Sequence, residues 1–505
     1  MKKLSAIITT ALMLTPASVL AEYRSSSDTG LEIFDYIENR HREERENRLT
    51  EEQQQLLQDI DKAKAQLPNP SKTYEKDPAP AVFEGDDLIY HADTGEFIAT
   101  GKVDILQIDG HRFQTKAATG NVKEQVVRIK DRAHVLQLKE GAPRITLDGY
   151  RTVYNYGTKT GTMGRAKGKA GHYYISGRRF EFYPDHIVVY NGTQTKCGAI
   201  RPDYHLSAEK MEIWPEQVIK MYEVKFWIKD TIVGAKAYEE REINDTGQNQ
   251  FPRVGYNKDN GLYVEQRFEQ KINDNVKTVI NAHINTKHGI RSSGELRYDN
   301  RDSHARLVYG YYYDDNNNWI QKLPSLILNY NRHMSTMPLF YNLEYEIGRW
   351  RSDTVSSTHQ KYEFGLGRDT IFFNGWALML YTSFTVTKES ADNSTVKGMN
   401  YYATLAKEFN KRFAAYTAFQ YTKNTSDRSL FKYENEDYEK QFSLGATYRL
   451  DDKNRVAMGM KFDADRGSLE DVDYYWYHDL HCSQLIMRYR EKRSKFEAQW
   501  QFTPW

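Results

Sequence analysis

Long apolar segments are scarce in this sequence. After residue 21 no segment has the roughly 20 consecutive apolar residues that a membrane-spanning helix needs. The most apolar segment, 371–386, is interrupted by Asn374, Gly375 and several Thr and Ser residues. These interruptions exclude an α-helical membrane protein. The mean hydropathy of −0.77 fits either an ordinary soluble protein or a β-barrel with a polar lumen.

A strong net charge is also lacking. The chain has 70 basic and 69 acidic residues, so it does not have the basic footprint of a nucleic-acid binder. It contains no Gly-x-Ser-x-Gly elbow, His-Glu-x-x-His helix or phosphate-binding glycine loop. We therefore expect no enzyme and no cofactor. Catalysis by Ser, His and acidic groups on the rim of a barrel is kept as a minor alternative.

The first 21 residues have the pattern of a secretory signal peptide. Lys2 and Lys3 precede an apolar run over 4–14, and Val19, Leu20 and Ala21 have the small-residue spacing of a cleavage site. The alternative, a membrane anchor, is disfavoured because the run is shorter than the roughly 20 residues of a spanning helix. We expect an exported protein whose mature chain begins at residue 22.

Cysteine is rare as well, with only Cys197 and Cys482 in the chain. After export both lie in an oxidising compartment, where disulfides form. A bridge between them would close a long loop, which the chain-entropy model rates at about 5 kcal/mol. Two unpaired thiols, or pairing with another protein, are the alternatives. A metal site of His478, His481 and Cys482 is disfavoured because no second ligand pair is recognisable.

Aromatic residues, by contrast, are abundant. The chain has 37 Tyr, 22 Phe and 8 Trp, concentrated in its second half, and transmembrane β-barrels place such residues in girdles at both membrane interfaces. Alternating segments from 252–257 to 494–502 predict a transmembrane antiparallel barrel of about sixteen strands, with fourteen as the alternative count. Short connectors on the periplasmic side are expected at 299–303, 408–412 and 449–453. Longer external connectors are expected at 314–323, 349–358, 387–398 and 423–438.

The first half of the chain divides into two regions. Residues 22–80 are rich in charge, with apolar positions spaced as in a helix over 31–67, followed by a proline-containing linker. We interpret this region as a solvated helical spacer, the alternative being a docking helix for a periplasmic partner. Residues 81–240 change to short alternating strands, and 241–505 form the predicted barrel. The predicted fold class is therefore all-β with a short N-terminal helical segment.

A row of small and apolar residues on one strand face is the clearest feature of the 81–240 region. Phe97, Ala99, Val103 and Ile105 alternate with polar residues, so they lie on one face of a strand. Phe180 belongs to a later copy of a loose repeat. Stacked strands of this kind bury a shared apolar interior, which we predict to be a groove for acyl chains. An ordinary dry core is the alternative.

The segments 88–103, 197–213, 251–262 and 479–482 together resemble those of the LptD/OstA family, outer-membrane proteins that assemble lipopolysaccharide. Segment 88–103 (LIYHADTGEFIATGKV) resembles the OstA-type repeat. Segment 197–213 (CGAIRPDYHLSAEKMEI) is similar to the stretch by which these proteins leave their jellyroll, and 251–262 (FPRVGYNKDNGL) to the hairpin that opens their barrel. The fourth segment, 479–482 (DLHC), matches except that Ser483 replaces the usual Trp.

The resemblance implies a periplasmic OstA-type β-jellyroll over 81–240, followed by an outer-membrane barrel smaller than is usual in the family. It implies the Cys197–Cys482 disulfide, as one bridge where the family typically has four cysteines. The implied partners are lipopolysaccharide, an LptA-like periplasmic bridge protein, an LptE-like plug lipoprotein and the barrel-insertion machinery. The implied function is to receive lipopolysaccharide from the periplasmic bridge and insert it into the outer leaflet.

The resemblance also implies that the lipid exits between the first and last barrel strands. Two prolines, which have no N–H to donate, would weaken the pairing of these strands. The alternative is that each proline merely sits at a strand end, where it is tolerated. The predicted lateral gate comprises Pro252, Val254, Tyr256, Trp500, Phe502 and Pro504.

Two other functions fit part of the sequence. A porin-like diffusion channel fits the barrel equally well, but it has no need of a periplasmic strand stack with an apolar interior. A purely periplasmic scaffold leaves the aromatic-rich terminus at 496–505 unexplained. The order of jellyroll and barrel therefore favours lipid transport.

Overall fold

The structure is a computed structural model that describes residues 48–67, 80–138, 144–214, 218–243, 252–313, 319–352, 355–424, 439–480 and 482–502. The predicted signal peptide, the first part of the predicted helical segment and Pro504 lie outside the described residues. The described residues belong to two compact units, one over 48–243 and the other over 252–502. No helix among them is long and apolar enough to cross a membrane.

One helix, α1 (Glu51–Ala65), precedes the strands of the first unit. Its first turn is closed by a capping box, in which the Thr50 hydroxyl accepts from the Gln53 N–H at 3.2 Å and the Gln53 side chain accepts from the Thr50 N–H at 3.1 Å. Glu51 and Glu52 lie in the first turn and Lys62 and Lys64 in the last. These charges complement the helix dipole.

The helix packs on the sheet of its own unit. Leu56 and Ile60 are buried against Leu106 and Leu136, and the charged side chains beside them pair with the sheet. The Asp59 carboxylate lies 3.1 Å from the Arg112 guanidinium, and Glu52 lies 2.8 Å from the His134 ring. The prediction of a solvated spacer is therefore wrong for 51–65, because the apolar stripe and the charges both have partners in the sheet.

Twelve strands form one antiparallel sheet in the first unit. Each strand pairs with the next along the chain, except that β1 and β2 both pair with β3. The strands are β1 (Ala81–Glu84), β2 (Asp87–Tyr90), β3 (Glu96–Gln107), β4 (His111–Asn121), β5 (Val126–Gln137), β6 (Ile145–Asn155), β7 (Thr160–Ala170), β8 (Tyr173–Phe182), β9 (Ile187–Thr195), β10 (Tyr204–Trp214), β11 (Val218–Ile228) and β12 (Thr231–Glu242).

The second unit is a closed antiparallel barrel. Its strands are β13 (Arg253–Asn257), β14 (Gly261–Lys271), β15 (Val276–Asn285), β16 (Gly289–Ile290), β17 (Ser293–Asp299), β18 (Ser303–Tyr313), β19 (Trp319–His333), β20 (Leu339–Ser352), β21 (Val355–Phe373), β22 (Trp376–Glu389), β23 (Ser394–Asn410), β24 (Phe413–Asn424), β25 (Lys440–Arg449), β26 (Asn454–Asp463), β27 (Ser468–Asp479), β28 (Ser483–Arg490) and β29 (Lys495–Phe502). The two-residue β16 only extends the pairing of β15. The other strands make a sixteen-stranded barrel, which confirms the predicted count.

Alternation explains why these segments form a barrel. Along β14 the apolar side chains of Leu262, Val264 and Phe268 are exposed on the outside. The intervening Arg267 and Glu269 lie on the other face, where the Arg267 Nε donates to a Glu269 carboxylate oxygen at 2.6 Å. An apolar exterior around a polar, internally paired wall is the pattern of transmembrane barrels.

The predicted external connectors are too long in three places. Strand β19 already begins at Trp319, inside the expected connector 314–323. Only residues 390–393 separate β22 from β23, and only 353–354 separate β20 from β21, where 387–398 and 349–358 were expected. The strands on this side continue past the apolar exterior. Beyond it most side chains on both strand faces are polar, so the sequence period that marks a strand disappears while the backbone pairing persists.

Candidate functional site

The predicted groove residues all lie in the interior of the twelve-stranded sheet. Phe97, Ala99, Val103 and Ile105 on β3 are buried, as is Phe180 on β8, whereas Ile98 between them is 44% exposed. The ring of Phe97 contacts that of Phe83 on β1 with centroids 5.0 Å apart. The predicted strand alternation is therefore confirmed. Burial alone is equally compatible with a dry core, so acyl-chain binding stays a prediction.

An aromatic cluster that the sequence did not single out extends this interior. Phe113 on β4 packs on Tyr154 at the far end of β6, with centroids 4.8 Å apart, and Tyr154 meets Phe182 of β8 edge-on at 6.1 Å. In the sequence, each of these aromatic residues lies in the usual strand alternation of apolar and polar residues, so nothing sets it apart. Only the curvature of the sheet, which brings strand ends far apart in sequence together, makes them one cluster.

A partly buried charged cluster lies beside these rings. The Asp109 carboxylate is 2.9 Å from the His111 ring Nδ1 and 2.7 Å from the Lys159 Nζ. Burial by itself raises the pKa of Asp109, but hydrogen bonds and charge from His111 and Lys159 outweigh it and hold that pKa well below its usual range. Burial raises the pKa of the nearby Tyr154, helped by the charge of Asp109. Asp109 is therefore ionised and Tyr154 neutral at ordinary pH.

The barrel is closed by a short seam between β13 and β29. Each residue of β29 is in register with β28, from Lys495 to Phe502. Across the seam, in the described part of the chain, the register covers only the four pairs from Val254–Trp500 to Asn257–Glu497. The β20–β21 pair elsewhere in the wall, by comparison, runs from Leu339–Arg368 to Ser352–Val355. The seam thus has less backbone pairing than the long strand pairs of the wall.

The predicted gate residues lie at this seam as far as the structure describes them. Val254, Tyr256 and Trp500 are on the paired section, and Phe502 lies beyond it, in register with Ser483 of β28. Pro252 immediately precedes β13, so it is at the strand end rather than inside the ladder. The seam also carries an ion pair missed at the sequence level, in which the Lys495 Nζ lies 2.7 Å from an Asp259 carboxylate oxygen.

Both cysteines, Cys197 and Cys482, are disulfide-bonded in the structure. Since the chain has only these two, they are each other's partners, as the sequence predicted. The bridge removes Cys482 from any metal site, and the His478 ring Nδ1 lies 2.8 Å from the Asn454 side-chain oxygen. His481 is outside the described residues. Among those that are described, no group of three or more potential ligands is arranged to hold a metal ion.

The disulfide is expected to change electrophoretic mobility. A bridge between Cys197 and Cys482 closes a long loop, so the denatured oxidised chain is more compact than the reduced one. On non-reducing gels the wild-type protein should run differently with and without reductant, whereas Cys197→Ser and Cys482→Ser should each abolish the difference. Equal mobility of oxidised and reduced wild type would contradict the bridge.

No family model matches the chain, and no curated protein matches it. Among solved structures, the matches include mutants of the Rh. blastica porin. One is 9% identical with a TM-score of 0.32, covering 50% of this chain and 97% of the porin. Another is 10% identical with a TM-score of 0.31, covering 49% and 96%. At such values the similarity assigns neither a family nor a function to this chain.

Proposed function

We propose that this protein inserts lipopolysaccharide into the outer leaflet of the outer membrane, as a short-barrel member of the LptD/OstA family. The observation that carries the proposal is the combination, in one chain, of a long sheet with a buried apolar row and a barrel with a poorly paired closing seam. The sheet would cover the acyl chains, and the seam would release them into the membrane. We further propose that the protein does this without catalysis or a cofactor.

The outer-membrane location is inferred from the surface of the barrel. Large apolar side chains such as Phe364, Phe384 and Phe419 are exposed on its outside. An apolar exterior of this extent is unfavourable in water but is what a lipid bilayer requires. With the barrel in the outer membrane, we propose that the twelve-stranded sheet lies in the periplasm, a location that the predicted export signal supports.

We propose that the twelve-stranded sheet is the OstA-type jellyroll. Acyl chains that cross the aqueous periplasm must stay covered, because each exposed methylene costs about 0.8 kcal/mol. The row of Phe97, Ala99, Val103 and Ile105 offers a continuous apolar surface for this purpose, and Phe180 extends it across the sheet. Lipopolysaccharide is the cargo that the family resemblance implies.

The LptA-like partner is proposed to dock on the β2 edge of this sheet. In the described residues β2 pairs only with β3, which leaves its other edge open. Leu88, Ile89 and Tyr90 are 49%, 55% and 51% exposed on it. An open apolar edge is a template for adding a partner's strand. The LptE-like plug and the barrel-insertion machinery remain proposals from the family resemblance alone.

A porin-like diffusion channel is the second candidate. The observation that favours it is the closed sixteen-stranded barrel, a size that leaves an aqueous channel in porins. Such a channel gives no role to the apolar interior of the twelve-stranded sheet. The two candidates therefore differ in whether lipid contacts that interior.

Photo-crosslinking from the sheet interior tests the proposal. A photoreactive residue at Val103 or Ile105 should capture lipopolysaccharide in cells, because both side chains point into the proposed groove. The matched control is Lys102, an exposed neighbour of Val103 on the same strand, which should capture little. Capture from Lys102 but not from Val103 or Ile105 would contradict the groove and favour the channel.

A further inference from the structure

Two turns of the twelve-stranded sheet, far apart in sequence, are joined by polar contacts. Asp109 in the β3–β4 turn pairs with Lys159 in the β6–β7 turn at 2.7 Å and with His111 at 2.9 Å. Beside them the Gln107 Nε2 donates to the Tyr156 carbonyl oxygen at 2.8 Å. Because β4, β5 and β6 are consecutive in the sheet, this contact requires the sheet to curl over and close on itself here.

A cavity of about 70 Å³ lies directly beside this contact. His111 and Lys159 line it, so the side chains that join the two turns also form part of the cavity wall. The rest of its lining is mainly apolar and includes the rings of Phe113, Tyr154 and Phe182. The cavity wall is therefore apolar at the aromatic rings. It is polar where the joined turns close it.

The size of the cavity decides what it can hold. An enclosed apolar cavity of about 150 Å³ holds one benzene molecule, so the present volume is too small for an acyl chain. The apolar part of the wall is nevertheless the environment that a hydrocarbon chain prefers, at about 0.8 kcal/mol for each methylene removed from water. A chain would enter only if the two joined turns separated.

We propose that Asp109, His111 and Lys159 form a clasp, and that its opening admits one hydrocarbon chain of an amphiphile into the pocket lined by Phe113, Tyr154 and Phe182. This inference rests on the proposed lipid-carrying function and adds a gated pocket to it. With the clasp open, the head group of the amphiphile stays at the polar side, beside His111 and His186, which also lines the cavity.

The test uses the purified full-length protein in nanodiscs, with lipopolysaccharide as the probe. A photoreactive residue at position 182 reports on the pocket, and one at position 103 reports on the groove. The clasp is locked by Asp109→Cys with Lys159→Cys and a short bismaleimide. The native cysteines are disulfide-bonded and do not react with it. The clasp is opened by Lys159→Met.

Locking the clasp should lower capture at position 182 about tenfold, the change expected when roughly two methylenes lose their burial. Lys159→Met should raise that capture, and capture at position 103 should stay unchanged in both. The matched control is Lys236→Met, which removes a comparable ion pair to Glu239 on β12, outside the cavity lining, and should alter neither signal.

The outcomes separate the clasp from the function on which it rests. The clasp alone is overturned by one outcome. In it, capture at position 103 is normal, and neither locking nor Lys159→Met changes capture at position 182. Absence of capture at both positions overturns the clasp and the lipid-carrying function together. Locking and Lys159→Met act in opposite directions, and only the locked variant also changes Asp109, so poor folding of one variant leaves the other as a complete test.

Discussion

A disulfide across the closing seam is expected to stop lipopolysaccharide from reaching the cell surface. Tyr256 and Ala498 are register partners on β13 and β29, so Tyr256→Cys with Ala498→Cys links the two strands covalently. In hydrocarbon each unpaired backbone group costs several kcal/mol, so a barrel opens only where pairing is already deficient. Once that place is locked, the proposed exit is closed. Surface lipopolysaccharide should fall on oxidation and recover on reduction.

The matched control is a second engineered disulfide that keeps Ala498→Cys and changes its partner. Ala498 is also in register with Met487 of β28, so Met487→Cys with Ala498→Cys places the same kind of bridge on the other side of β29. This control should deliver lipid at the normal rate in both redox states. The parent protein, treated in parallel, accounts for reduction of the native disulfide. Normal delivery by the seam-locked barrel would move the exit to the lumen and strengthen the channel interpretation.

Pro252→Ala is expected to slow delivery, by a smaller factor than the lock. The substitution restores an N–H immediately before β13, two residues beyond the last seam pair, Val254–Trp500, so the ladder can extend in this direction. A lengthened ladder costs more to separate in a bilayer. The rate at which new lipopolysaccharide appears at the surface measures the effect. An unchanged rate would show that Pro252 is only a tolerated strand-end residue.

Leu56→Ala is expected to release helix α1 from the sheet. Leu56 is completely buried with Ile60, Leu106 and Leu136, and truncation of such a leucine typically costs about 2–5 kcal/mol. Leu57→Ala is the matched control, since Leu57 is 39% exposed on the next position of the same helix. Amide hydrogen exchange over 51–65 should accelerate strongly in the first variant and little in the second.

The result also bears on how the helix is held. If Leu56→Ala leaves exchange over 51–65 unchanged, the Asp59–Arg112 and Glu52–His134 pairs must fix the helix instead of its apolar contacts. The Glu52–His134 pair is partly exposed to water, where such pairs contribute only modestly, and Asp59 shares the Arg112 guanidinium with Asp104. We therefore expect the apolar contribution to dominate.

The strand positions could be predicted from the sequence because the alternation of apolar and polar residues, with its period of two, is a local property. The predicted segments 276–285 and 454–463 coincide with β15 and β26 from end to end, and the row from Phe97 to Ile105 is buried as its alternation indicated. The external connectors were predicted too long where the strands continue beyond the apolar exterior of the barrel. There the alternation is lost, although the register from Trp350–Ser357 to Ser352–Val355 shows that pairing persists.

By itself the sequence determined the strand-rich fold, the sixteen barrel strands, the inward and outward faces and the pairing of its two cysteines. Each depends on residue type, local spacing or simple counting. Only the tertiary structure decided that α1 docks on Leu106 and Leu136, that Asp109 meets Lys159, and that the seam joins β13 and β29 by so short a register. These contacts join residues distant in sequence, and curvature and closure of a sheet accumulate over many strands, so no local pattern specifies them.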